Sequence, residues 1–238
     1  MPAPGKVTKT THFQALPYAQ LPVFMEQLVG QEGMGAKALL FLILTAARSG
    51  EVRGATWEEI DLAARVWTIP AERMKASKAH RVPLSDAAIA LLQEMKALAL
   101  AAGRTTGKAY VFPSPNSRDP ELGSQLSDMT LTAVLRRLKL EAVPHGFRST
   151  FRDWCAEQTD YPNEVAEMAL AHTVGNKVEA AYRRGDLLAK RQQLMQDWAD
   201  YAHGRRAENT TDGHSSAPIA STRANTPHQH NNTEGATR

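Results

Sequence analysis

The sequence predicts a mainly α-helical fold with one small antiparallel β-sheet, and three observations carry that reading. Apolar residues recur at helical spacing over most of the stretch from Pro17 to His203. Two short segments, Arg65 to Ile69 and His80 to Leu84, instead mix apolar and polar residues as strands do. They flank a polar turn at Ala76-Ser77-Lys78, which makes them a β-hairpin. The residues after His203 are rich in Thr, Asn, Ser, Gly and His, with Ile219 as the one large apolar side chain. Such a segment buries too little to offset its chain entropy and reads as disordered.

In order, residues 1–16 mix Pro, Gly, Thr and Lys without periodicity and read as a leader or linker. From Pro17 a helix begins, with Leu21, Phe24, Met25 and Leu28 on one stripe. A second follows Gly35 and is apolar nearly all round from Leu39 to Leu44, so it belongs at the centre of the core. Ser49-Gly50 is expected to break it, leaving Arg48 at its end, and a short helical segment spans Glu51 to Trp57. After the hairpin, Ser85 caps a helix, with Leu84 and Ile89 placed as a hydrophobic staple. Its predicted buried face is Ala88, Leu91, Leu92, Met95, Leu98, Ala99 and Ala102. A loop rich in Pro, Ser, Asn and Gly runs from Pro113 to Gly123. Helical patterns resume at Ser127–Leu140, His145–Gln158, Pro162–Ala171, Asn176–Arg183 and Leu187–Ala202, the last with Leu187, Leu194, Trp198 and Tyr201 on one stripe. The expected organisation is a leader over 1–16, one domain over 17–203 and a tail over 204–238.

Composition excludes several classes. The 238 residues are 42% hydrophobic and 22% charged, ordinary for a water-soluble domain. The longest apolar run, Ala38 to Ala47, is interrupted by Thr45 and falls short of the roughly 20 residues a membrane span needs. No signal-peptide core occupies the first twenty residues. Cys155 is the one cysteine, so neither an intrachain disulfide nor a Cys-rich zinc site is available, and the expected compartment is the reducing cytoplasm. The net charge is only +3, of which the tail from Gly204 supplies +1. That permits nucleic-acid binding without indicating it, so any such function must come from where particular cations sit.

Several residues could carry chemistry. In Pro144-His145-Gly146-Phe147-Arg148, a helix start brings free N–H groups and positive potential, a guanidinium fork and a titratable imidazole together, which suits a phosphate. The plain alternative is a solvated Arg148. Arg48, at the end of the most buried helix, must leave the core or meet an anion, although a cation complementing the helix dipole is common. Lys75 and Lys78 at the hairpin turn would ordinarily be solvated. His172 would ordinarily be a satisfied half-buried histidine, and Tyr182 packing surface. A phenol is a poor nucleophile at neutral pH unless cations surround it.

Taken together, and in this order, these residues resemble the catalytic domain of the tyrosine recombinase, or phage integrase, family. Thr45 to Asp61 (TAARSGEVRGATWEEID) is similar to its first arginine box and Met74 to Ser85 (MKASKAHRVPLS) to its lysine hairpin. Pro144 to Thr150 (PHGFRST) is similar to its His-x-x-Arg box, and Leu170 to Asp186 (LAHTVGNKVEAAYRRGD) to its histidine and nucleophile segment. The wording is nearest to integrases of prophages and genomic islands, and the likeness extends from about Leu16 to His203. It implies the family's fold and a site-specific recombinase that cuts and rejoins DNA through a 3′-phosphotyrosyl bond, in integration and excision of a mobile element. Tyr182 is then the nucleophile, Arg48 and Arg148 hold the non-bridging oxygens, His145 assists proton transfer and His172 hydrogen-bonds the phosphate. Lys75 is the general acid for the leaving 5′-oxygen, with Lys78 the other candidate. Two arginines would do the work of a metal, so neither metal nor cofactor is implied. The implied partners are double-stranded attachment-site DNA and further copies of the chain, with no membrane.

One departure stands out. Family members usually carry an upstream domain that closes around DNA, whereas about sixteen residues precede the catalytic match here. The expectation is a catalytic half that binds DNA weakly by itself. The alternatives are a DNA-binding remnant that no longer recombines and a topoisomerase-like enzyme that relaxes strands, since nicking and resealing use the same residues.

Overall fold

A computed structural model describes residues 14–172 and 185–205. The expected helix at Asn176–Arg183, the proposed nucleophile Tyr182, the tail beyond residue 205 and most of the leader lie outside the described residues. Helix α1 (Leu21–Val29) buries Leu21, Phe24, Met25 and Leu28, the stripe read from the sequence. Helix α2 (Met34–Thr45) is buried on every side from Ala38 to Thr45, because α1 and the helices Ser49–Arg53, Asp86–Ala101, Thr130–Arg137 and Leu188–Ala202 all pack against it. An all-round apolar helix has no face to give to water, so it becomes the axis of the core.

The end of α2 departs from the expectation. The helix stops at Thr45, whose hydroxyl folds back onto the Phe41 carbonyl (2.6 Å), and Ala46 takes a left-handed conformation (φ 50°). Ser49-Gly50 does not break the helix but opens the next one, α3 (Ser49–Arg53). Arg48 is therefore the residue before a helix rather than the last of one. Glu51, three residues on, accepts the Arg48 backbone N–H at 2.7 Å and satisfies a donor the new helix leaves open.

Strands β1 (Ile60–Asp61), β2 (Val66–Ile69) and β3 (His80–Pro83) form an antiparallel sheet in that order. The hairpin is present with Trp67 opposite Val82 and Thr68 opposite Arg81. The two-residue β1 carries too short a pattern to read in advance. Ser85 caps α4 (Asp86–Ala101) by accepting the Ala88 N–H. Its inner face is Ala88, Leu91, Leu92, Met95 and Ala99, whereas Leu98 and Ala102 face solvent. Helices α5 (Thr130–Arg137), α6 (Gly146–Gln158), α7 (Asn163–Ala169) and α8 (Leu188–Ala202) complete the described fold. The first is shorter at both ends than its pattern, and α7 ends before Leu170.

Two packing devices position the site. Trp198 of α8 is fully buried and donates to the Ile43 carbonyl of α2 (2.7 Å), amid Phe151, Trp154 and Tyr201. Thus α8 docks on its own chain, against α1, α2, α4, α7 and β3. At the start of α6, a side chain on Gly146 would lie 2.2 Å from the Gln14 carbonyl, so glycine is needed for the close approach of residues 14–16. Leu16, at the end of the stretch read as a leader, is buried, and its carbonyl accepts from Thr150 (2.6 Å).

Candidate active site

Arg148 is the centre of the site. It lies one turn into α6 and is only 4% exposed, so it is not the solvated residue of the plain alternative. Its Nη1 donates to the Ala46 carbonyl and its Nη2 to the Leu170 carbonyl, each at 2.6 Å. The left-handed turn at Ala46 and the end of α7 thus hold the guanidinium between them. Its Nε is buried with no hydrogen-bond partner among the described residues. Burial, and then repulsion from Arg48, lower its pKa to about 10, against opposing help from Glu51 and Glu167. The group stays charged at neutral pH and is short of anionic partners.

His172 joins this centre. Its Nε2 lies 3.1 Å from Arg148 Nη2 and its Nδ1 2.8 Å from Glu167 Oε2. Burial pushes the Glu167 carboxyl up, but hydrogen bonds from Arg152 and His172 outweigh it and hold it below the ordinary carboxylate value. An ionised Glu167 takes a proton only as acceptor, so Nδ1–H donates to it and Nε2 accepts from Arg148. His145 stands immediately before α6. Its pKa lies below 6.5, lowered first by partial burial and then by Arg148, Arg48 and His172. The shift favours the neutral imidazole, the form able to accept a proton. Arg48 is partly buried, with its Nη1 on Glu51 Oε1 at 2.8 Å.

The structure therefore brings Arg48, His145, Arg148 and His172 together. Lys75 and Lys78 stand exposed on the β2–β3 connection, and Tyr182 lies outside the described residues. Sequence reasoning missed Glu51 and Glu167. Glu51 had a readable signal, an acid three residues after Arg48 at a helix start. Glu167 had none, because its contact with His172 depends on how the turn after α7 closes. Among the described residues no three or more His, Cys, Asp or Glu side chains are grouped to hold a metal ion, and no helix is long and apolar enough to cross a membrane.

A buried guanidinium flanked by a second arginine and two imidazoles is thus assembled from four of the residues singled out in the sequence. The sequence profile of the phage integrase family matches residues 18–187. The chain belongs to the phage integrase family. Prophage integrase IntA of Escherichia coli (strain K12) is 38% identical over 185 residues, covering 76% of this chain and 42% of the relative. The integrase of Enterobacteria phage P4 is 33% identical over 213 residues, covering 82% and 46%. The chain thus spans less than half the length of these relatives. Among solved structures, the integrase from mycobacterium phage Brujita superposes with a TM-score of 0.56 at 16% identity, over 82% of this chain and 59% of that one. A XerA recombinase gives 0.51 at 13% identity, over 81% and 61%. At such identities the superpositions establish the fold, which is that of this family.

Proposed function

We propose that this chain is the catalytic region of a site-specific DNA recombinase that integrates and excises a mobile element. The observation that carries the reading is the buried Arg148, pinned by the carbonyls of Ala46 and Leu170 beside Arg48, His145 and His172. Fixed cations that need not reorganise are what a phosphorane-like transition state requires. Two matched relatives are integrases of a prophage and a phage. An integrase of the same fold, that of the Tn1549 transposon, has been solved in complex with transposon right end DNA.

In this mechanism the Tyr182 phenolic oxygen attacks the scissile phosphorus and its proton passes to the neutral His145. A 3′-phosphotyrosyl bond forms as the bond to the 5′-oxygen breaks, and that oxygen takes a proton from Lys75. Arg48 and Arg148 share the charge on the non-bridging oxygens. His172 adds a hydrogen bond once its Nε2 carries a proton and turns from accepting the Arg148 N–H to donating to the phosphate. Attack by a 5′-hydroxyl then reverses the steps and reseals the strand without external energy. The partners are duplex DNA and further copies of the chain on it.

Tyr182→Phe tests the reading, since it removes one oxygen and keeps the ring. The native chain incubated with a pool of nicked duplexes, randomised across the core, should yield a denaturant-resistant protein–DNA adduct and the variant none. An adduct of equal yield from the variant would show that Tyr182 is not the nucleophile.

A further inference from the structure

Arg191 is the most deeply buried cation among the described residues, 1% exposed on the first turns of a polar helix, and the chemistry above leaves it unused. All of its reach is spent on two other residues. Its Nε donates to the Asp186 carbonyl (2.7 Å), its Nη2 to Asp186 Oδ2 (2.9 Å) and its Nη1 to the Arg81 carbonyl of β3 (2.6 Å). Arg81 closes the triangle from the solvent side. Its Nε and Nη2 meet the two Asp186 oxygens at 2.9 and 2.8 Å, a two-pronged fork on one carboxylate. Burial raises the Asp186 pKa, but the two arginines more than offset it and hold the carboxyl below its ordinary value. Leu187, next along, turns through a left-handed conformation (φ 53°) to start α8.

The position of this cluster in the chain gives it meaning. Asp186 lies four residues after Tyr182, and four residues of chain span at most about 14 Å. Fixing Asp186 therefore bounds where the phenol can reach. The other fixed point is strand β3, which leaves the connection bearing Lys75 and carries Arg81. Upstream, Arg148 holds the Leu170 carbonyl, just before His172. Of these contacts, Arg148 belongs to the phosphate site, whereas Arg81 and Arg191 touch none of its residues through the hydrogen bonds described.

We propose that Arg81 and Arg191 clamp Asp186 as a positioning device, tying the chain that follows Tyr182 to the strand that follows Lys75. The clamp rests on the assignment of Tyr182 as nucleophile. It makes nucleophile and general acid share one anchor, so both approach the phosphate from a common frame. A misplacement of about 1 Å in such a frame costs up to about a hundredfold in rate. Arg191 supplies the buried, permanent half of the clamp, and Arg81 the exposed half that can be altered without opening the core.

The test uses the full chain and the nicked-duplex pool, with Arg81→Ala, Arg81→Lys and Asp186→Asn. The rate of adduct formation is read at saturating DNA and the affinity separately. The expected result is a rate about ten- to a hundredfold lower in Arg81→Ala, with affinity and thermal midpoint close to native. Arg81→Lys should recover part of the rate, because lysine keeps the charge but not the fork. Asp186→Asn leaves Arg191 facing a neutral partner, so its folding is checked by amide exchange. There, only the peptide covering residues 185–190 should exchange faster, with α2 protected as in the native chain. Native rates in a folded Arg81→Ala, while the native chain forms an adduct that Tyr182→Phe does not, would overturn the clamp and leave the nucleophile assignment standing. An adduct that persists in Tyr182→Phe, or none from the native chain, would overturn the assignment and the clamp with it.

Discussion

At the residue scale the site works by withholding partners. Arg148 spends its donors on two carbonyls and one imidazole, none of them anionic, so its charge remains available to a phosphate. Glu51 and Glu167 sit one residue further out and meet Arg48 and His172 instead. They hold those side chains in place without neutralising the centre. Partial burial, and then the same excess of cations, lower the His145 pKa and favour its neutral form, and this sets a pH dependence. A lowered pKa moves the rise of the accepting form to lower pH than for an ordinary histidine. Single-turnover adduct formation measured from about pH 5 to about pH 8 should therefore rise with pH and level off before the ordinary imidazole range is passed. A plateau reached only above about pH 7 would mean that another group takes the proton. Glu167→Gln should slow the same step while leaving the plateau in place, since it frees the His172 ring to turn but does not touch His145.

At the element scale, the site is assembled by three chain reversals that converge on one guanidinium: the turn after α2, the start of α6 and the end of α7. The helices themselves were legible because their apolar spacing is regular. The stripe of α1, the all-round apolarity of α2 and the Ser85 cap of α4 each have one reading. The end of α2 was not legible. Alanine at position 46 adopts the left-handed turn that glycine usually marks, so Ser49-Gly50 looked like the break. Nor could spacing reveal that Leu98 faces water, because that depends on where the neighbouring elements stop. Of the site, the cations were legible as residue types in order, but the carboxylates that hold them depend on tertiary contacts. The burial of Arg191 was equally hidden, in a helix whose composition is polar. The docking of α8 is the element on which the whole arrangement leans. Trp198→Ala removes a fully buried indole and its bond to Ile43, and should cost about 3–5 kcal/mol in chemical denaturation. A loss below about 1 kcal/mol would mean that α8 is not held where it lies.

At the scale of the whole molecule, stability should weaken on the acid side as a buried histidine is forced to take a proton. His80 lies between the sheet and α7, and burial, followed by the Arg191 charge, lowers its pKa to about 4. In the unfolded chain it titrates near 6.5, so between these values the unfolded state binds a proton that the folded state refuses. The contribution is whole above about pH 6.5 and is lost as pH falls toward about 4, on the order of 2–3 kcal/mol. His145 acts in the same sense. Denaturation midpoints across this range should fall with acid in the native chain and fall less in His80→Gln, and equal slopes would contradict the assignment. The net charge of only +3 has a parallel consequence. On the proposed function, affinity for DNA would come from the particular cations around Arg148 rather than from the net charge of the molecule, and should drop steeply with salt. In the proposed mechanism these cations serve one tyrosine, and the decisive measurement identifies the atom that becomes bound to DNA. The adduct formed with EDTA present is digested by protease and nuclease, and the nucleotide-bearing peptide is sequenced by mass spectrometry. The expected result is a single modified residue, Tyr182, joined to a 3′-phosphate. A nucleotide on any other residue, attachment through a 5′-phosphate, or an adduct that forms only with added magnesium would contradict it.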